Sequence, residues 1–322
     1  MIMATDENAS VKKNSRDRQD FFNAVASEVN LFGMERRFYN LSALPGPELP
    51  DWLDGQTLYE IYVRCFSPQG TFAGVTGRLP ELQELGVNLL WLMPIFPIGE
   101  KKRKGRLGSP YAVRDYFAVN PELGEERDFR GLVRAAHDRG MKIILDLVAN
   151  HVAPDYAGFR SGEAQAVTDA QGRPTRRIKD WSDVVDLDYN RAATGAHMLR
   201  VMQYWAEQFD VDGFRCDVAG LVPLDFWERA ADKLREIKPD FFLLAEWESP
   251  LLHRRAFHAS YDWSLYELML RVARGQWPPE QLPEWVNLKS RTYPARAQFL
   301  RFLENHDKPR AVKVFGKNRL NV

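Results

Sequence analysis

The chain has 322 residues, 45% of them hydrophobic, and its 44 Lys and Arg balance 44 Asp and Glu. That length accommodates one barrel-sized domain or two ordinary ones, and the charge balance argues against a nucleic-acid or membrane-surface role driven by bulk electrostatics. The first twenty residues carry no secretory apolar region and no stretch reaches the length of a membrane span, so a cytoplasmic location is expected.

In chain order, residues 1–50 form an N-terminal extension. Its first twenty residues are expected to be disordered, and Phe21, Phe22, Val25, Val29, Leu31 and Phe32 point to a helical or appended segment. Leu44–Pro50 reads as a linker from its prolines. From residue 58 apolar runs alternate with amphipathic stretches, the pattern of βαβ units on a parallel sheet. Strands are predicted at Leu58–Cys65, Asn88–Met93, Lys142–Val148, Gly213–Asp217, Phe241–Glu246, Ala259–Ser264 and Phe299–Leu303. Helices are predicted over Phe129–Arg139, Met198–Phe209 and Phe226–Ile237. The basic run Lys101–Arg106 reads as a solvated loop. Residues 152–194 lack periodicity and are expected to form an inserted loop or small subdomain after the third strand, at the C-terminal face of the sheet. Cys65 and Cys216 show neither a disulfide framework nor zinc spacing and are read as buried structural thiols.

The fold expected for residues 51–322 is an α/β barrel of the TIM (β/α)8 type. No eighth strand precedes Val322, so the barrel is expected to be incomplete, with two unpaired strand edges.

Four of the predicted strands end in ionisable groups: Asp146-Leu147-Val148-Ala149-Asn150-His151, Gly213-Phe214-Arg215-Cys216-Asp217, Leu243-Leu244-Ala245-Glu246 and Phe302-Leu303-Glu304-Asn305-His306-Asp307. Arg215 and Asp217 are two apart and share one face of their strand, while Phe214 and Cys216 share the other. A buried salt bridge explains that pair alone, but not Glu246 and Asp307 at later strand ends. Three carboxylates converging in one barrel mouth repel each other and raise at least one pKa. This arrangement suits a nucleophile, a general acid/base and a third stabilising carboxylate. Trp247 and Trp263 are read as packing, Glu304 as pointing away from the mouth, and Glu248 as a surface acid.

Taken together and in order, the four segments resemble the four conserved regions of the α-amylase family, glycoside hydrolase family 13, over about residues 58–310. The resemblance implies that Asp217 is the nucleophile, Glu246 the acid/base, and Asp307 the acid that binds sugar hydroxyls and distorts the ring. It implies that Arg215 orients Asp217, that His151 and His306 donate to sugar hydroxyls, and that Asp146, Asn150 and Asn305 support the site. Tyr111, in Gly108-Ser109-Pro110-Tyr111, matches the family's sugar-stacking tyrosine. The implied partner is an α-glucan or maltooligosaccharide, with no nucleic acid and no membrane.

The family's calcium site would use Asn150, an acid of the insertion (Asp155, Asp183 or Asp186) and the residue four past the nucleophile. That residue is Leu221, which has no side-chain ligand, so no metal or other cofactor is expected. The stretch Val218-Ala219-Gly220-Leu221 also lacks the Lys-His pair that many members carry, and Gly108 stands where some glucosidases have an acid, which favours internal cleavage. Three readings stay open: retaining hydrolysis or transglycosylation, a transferase or isomerase such as a trehalose-synthase-like enzyme, and an inactive carbohydrate-binding fragment.

Overall fold

The computed structural model describes residues 40–316. Seven strands form one parallel sheet in the order β1-β2-β3-β6-β7-β8-β9. They are β1 Leu58–Ile61, β2 Leu89–Leu92, β3 Lys142–Leu147, β6 Gly213–Cys216, β7 Phe242–Ala245, β8 Ala259–Tyr261 and β9 Gln298–Leu300. Between β3 and β6 the chain leaves this sheet, and β4 (His151–Val152) pairs antiparallel with β5 (Val185–Asp186).

Period-two alternation sorts the strand residues into two apolar layers. Leu90, Leu92, Ile143, Leu145, Phe214, Cys216, Leu243 and Ala245 face outward and pack under the helices with Phe129, Leu132, Trp205 and Trp227. Leu89, Trp91, Ile144, Phe242, Leu244, Ala259 and Tyr261 face inward as a second cluster. Trp91 of β2 and Tyr261 of β8 stand four strands apart in the sheet order, yet their ring centroids are 6.2 Å apart. On a flat sheet that separation would be about 19 Å at ~4.8 Å per strand. The sheet therefore curls around its inner residues as an open barrel of the (β/α)8 type, with β1 and β9 as its edges among the described residues.

The helices begin earlier than their periodicity indicates. Glu126–His137 starts at a capping box made by Glu125 and Asp128, Ala192–Phe209 runs six residues upstream of Met198, and Leu224–Ile237 starts two residues before Phe226. Below the sheet, the buried Asp212 accepts the backbone N–H of Ile143 at 2.9 Å and lies 2.7 Å from His137 Nε2, 3.0 Å from Lys142 Nζ and 2.8 Å from Lys238 Nζ. This ionic knot ties β3 and β6 together at the end opposite the mouth.

Three predicted strands are too long. β1 stops at Ile61, and Val63–Phe66 forms a helical turn, so Cys65 is exposed rather than a buried thiol. Cys216 is buried on the outward face of β6, as expected. β8 stops at Tyr261 because Trp263 opens the helix Trp263–Ala273, and β9 ends at Leu300, three residues short of the predicted Leu303. The segment expected to be helical or appended lies outside the described residues, apart from residue 40.

Candidate active site

Strand register builds the mouth. Asp146 of β3 pairs with Arg215 of β6, and Cys216 pairs with Ala245 of β7, so Asp217 and Glu246 are the next residues along adjacent strands. Arg215 is fully buried between the carboxylates. Its Nη1 donates to Asp146 Oδ1 at 2.8 Å and to Asp217 Oδ1 at 2.9 Å, and its Nη2 lies 2.9 Å from Glu246 Oε1. Nε donates to the Tyr261 hydroxyl at 3.2 Å, and the Trp91 ring centroid lies 4.9 Å from the guanidinium carbon. The fork of the guanidinium thus holds three carboxylates at once.

One buried cation does not neutralise three buried anions. Burial pushes Glu246 up to about 8, with Asp217 adding to the shift and Arg215 opposing it. Burial likewise pushes Asp146 up to about 7 against the pull of Arg215. The hydrogen bonds to Asp146 favour its ionised form, since Arg215, Trp91 Nε1 at 3.2 Å and the Tyr111 hydroxyl at 3.0 Å all donate to it. We therefore place the extra proton of the mouth on Glu246. Val218, directly after Asp217, sits in the left-handed region at φ 37°, which is strained for a β-branched residue. That turn aims its N–H at Glu246 Oε2, 2.8 Å away.

The two histidines carry opposite charge preferences. Burial lowers the pKa of His151, so its ring is neutral at pH 7. Asn150 Nδ2 donates to His151 Nδ1 at 3.2 Å, which leaves the ring proton on Nε2, the nitrogen 3.9 Å from Asp217 Oδ2. For His306 burial works against the charge, but the Glu60 hydrogen bond and the nearby Asp307 outweigh it and raise the pKa.

Residues 305–307 follow β9 on a loop. Asp307 is half exposed, 3.3 Å from His306 Nε2, and its backbone N–H donates to Asn305 Oδ1 at 3.0 Å. The Tyr111 ring stacks on His306 at 5.5 Å and 17°. All ten sequence-predicted positions thus lie in or directly beside one mouth. Sequence reasoning missed Glu60, Trp91 and Tyr261, which face the same mouth from β1, β2 and β8. Alternation within those strands was the available signal.

A profile of the alpha amylase catalytic domain matches residues 19–183 and 177–322. The chain belongs to the alpha-amylase family. Alpha-amylase MalA of Haloarcula japonica is 29% identical over 284 residues, covering 84% of this chain and 41% of that protein. The intracellular maltogenic amylase of Bacillus subtilis is 30% identical over 275 residues, covering 71% and 44%. The crystal structure of an alpha-amylase from Lactobacillus plantarum superposes with a TM-score of 0.79 at 38% identity, over 83% of this chain and 67% of that one. The chain thus spans less than half the length of these two relatives, 41% and 44%.

Against the family pattern, the calcium positions do not converge on a cage. Asp155 accepts the backbone N–H of Glu100, Asn150 turns its amide to His151, and Asp183 lies 3.0 Å from Lys104 Nζ. Asp186 accepts the N–H of Arg177, and among these four residues only its Oδ1 is buried without a hydrogen-bond partner. One such oxygen falls well short of the six to eight that calcium takes, and no metal-holding group of three or more His, Cys, Asp or Glu occurs among the described residues. The basic run Lys101–Arg106 is exposed throughout, as expected of a solvated loop, and Lys104 stays about half exposed while it pairs with Asp183. Gly108 has φ +73°, and a Cβ there would lie 2.7 Å from Ile98 Cγ2, so an acid at this position meets both strain and a clash.

Glu248 is not the surface acid expected. Its side chain is buried, 2.7 Å from Lys289 Nζ, and accepts the Ser264 N–H at 3.0 Å. Lys289 also reaches Asp262 at 2.6 Å, so the loop after β7 is pinned to β8 and to the helix Gln281–Thr292. Trp263 packs on Tyr261 and Phe302, as expected. No helix among the described residues is long and apolar enough to cross a membrane.

Proposed function

We propose that the chain hydrolyses α-glucosidic bonds of α-glucans and maltooligosaccharides with retention of configuration, Asp217 serving as nucleophile and Glu246 as acid/base. The observation that carries this reading is that Asp217 and Glu246 occupy neighbouring register positions and share one guanidinium. Adjacent parallel strands lie about 4.8 Å apart, close to the ~5–5.5 Å between the carboxyl groups of retaining glycosidases. The amylase and maltogenic amylase relatives support the substrate class.

In the first step Asp217 attacks the anomeric carbon while Glu246 gives its proton to the departing glycosidic oxygen. A covalent β-glycosyl intermediate results. In the second step Glu246 takes a proton from water, which attacks the same carbon and releases the α-product. Arg215 orients Asp217 through its Nη1 hydrogen bond. His151 offers its Nε2 proton to a sugar hydroxyl, His306 and Asp307 hold further hydroxyls, and Tyr111 packs its ring against the sugar's C–H face. Asp146, Asn150 and Asn305 support these groups. No step is assigned to a metal.

Incubating the chain with maltooligosaccharides is expected to release reducing ends, and longer products without net release would instead indicate transfer. No turnover of either kind across the pH range would overturn the reading. Glu246 must be protonated for the first step, and burial has pushed it up to about 8. Activity is therefore expected to persist through neutral pH and fall as pH rises through about 8. An alkaline limb near the ordinary glutamate range, about 4–5, would remove Glu246 from the acid role.

A further inference from the structure

We propose that Glu60 is a positioning residue of this mouth, holding His306 as a doubly protonated imidazolium across the open side of the sheet. The proposal rests on the glycosidase reading for what His306 then does.

Glu60 stands in register with Trp91, so its side chain points into the mouth from β1. Its Oε1 lies 2.5 Å from His306 Nδ1, and its Oε2 accepts the His306 backbone N–H at 3.3 Å. A carboxylate has no proton to give, so Nδ1 carries one. The other ring nitrogen, Nε2, lies 2.9 Å from the Tyr111 hydroxyl. That hydroxyl gives its single proton to Asp146 Oδ2, and Asp146 meets only donors, Arg215 and Trp91 among them. The Tyr111 oxygen is left to accept, so Nε2 carries a proton as well. Both nitrogens donate and the ring is cationic.

The charged and titratable groups that face His306 come from every element around it. Glu60 lies on β1, Tyr111 on the loop after β2, Asp146 on β3, Arg215 on β6, and Asp307 beside His306 itself. Glu60 and Asp307 favour the cation, and Arg215 and burial oppose it. β1 and β9 are the two edges of the sheet and share no ladder among the described residues. The Glu60–His306 contact bridges them, since His306 follows β9. Both side chains are mostly buried, 18% and 19% exposed. Glu60 thereby orients the imidazolium and keeps its Nε2 proton, given to the Tyr111 oxygen in the free chain, where an incoming sugar hydroxyl competes for it.

The test uses Glu60→Gln in the full chain, which keeps an accepting oxygen and the side chain's shape but removes the charge. Histidine-ring 15N NMR without substrate reads the protonation state, with His306→Asn assigning the signal. In the unsubstituted chain His306 is expected to keep both ring protons well above the ordinary histidine value of about 6.5. In Glu60→Gln its titration is expected to fall by roughly 1–3 units. KM for maltooligosaccharides should then rise about tenfold at pH 7.5 with kcat little changed, because a charged donor has been exchanged for a neutral one. That difference should vanish near pH 5, where the ring is charged in both proteins. A His306 that titrates near its ordinary value in the unsubstituted chain, or unchanged in Glu60→Gln, overturns the inference whatever the turnover. A chain that turns nothing over while His306 titrates as expected supports the tie of Glu60 to His306 and sinks the hydrolytic reading.

Discussion

Asp217→Asn is expected to lower maltooligosaccharide turnover by on the order of 10⁴–10⁶-fold, the range seen when residues of a covalent catalytic unit are removed. The substitution is close to isosteric. Its amide oxygen still accepts from Arg215 Nη1, now 2.9 Å from Asp217 Oδ1, and Asp146 and Glu246 keep their own contacts with the guanidinium. What disappears is the negative charge that attacks the anomeric carbon. Losing one of three crowded carboxylates also relieves repulsion on Glu246, so the melting temperature should hold or rise. Loss of activity with an intact fold is the combination that separates a nucleophile from a structural ion-pair partner. Reducing-end release and a thermal melt on the same preparation provide it. Activity within tenfold of the unsubstituted chain would dismiss Asp217 as nucleophile.

Arg215→Met should destabilise the fold by roughly 3–5 kcal/mol at neutral pH, the cost of removing one partner of a buried ion cluster. The methionine fills part of the volume under Trp91 and Tyr261, but Asp146, Asp217 and Glu246 are left without their common cation. The variant answers this by protonating its carboxylates, which gives the loss a pH dependence of known sign. Glu246 already stands at about 8 in the folded chain, against an ordinary value near 4. Between the unfolded and folded pKa values the folded state binds the extra proton, so its contribution to stability falls as pH rises through that window. Without Arg215 the folded values climb further and the fall grows steeper. Chemical denaturation of both proteins at pH 5 and pH 8 should therefore show the larger gap at pH 8. A gap below about 1 kcal/mol at either pH would mean that the guanidinium is not what holds the three carboxylates.

The juxtaposition of Asp217 and Glu246 was legible in the sequence because it needs only local rules. A buried strand alternates its faces, parallel neighbours are close in register, and Asp217 and Glu246 each stand one residue beyond such a run. Arg215 follows from Asp217 by period two. The partners of His306 were harder to see. Glu60 and Trp91 lie inside strands whose sequences hold no motif, and the proximity of β1 to the residues after β9 exists only once the sheet curls. Glu248 and Lys289 show the same limit, since a charge two residues past Glu246 reads as solvated until a distant helix supplies its ammonium. The turn at Val63–Phe66 was misread because a short apolar run serves a strand or a helix equally well, and that ambiguity moved Cys65 from the core to the surface. The early start of the helix Glu126–His137 was missed because a glutamate, Glu125, caps where Ser, Thr, Asp or Asn is the usual signal.

The central claim is that the strand-end segments build one retaining α-glucosidic site. Its most direct test is the anomeric configuration of the first product released from a maltooligosaccharide, followed by proton NMR before mutarotation. The account predicts the α-anomer as the first signal. The β-anomer appearing first would mean direct attack by water and would contradict the assignment of Asp217 and Glu246 as a retaining pair.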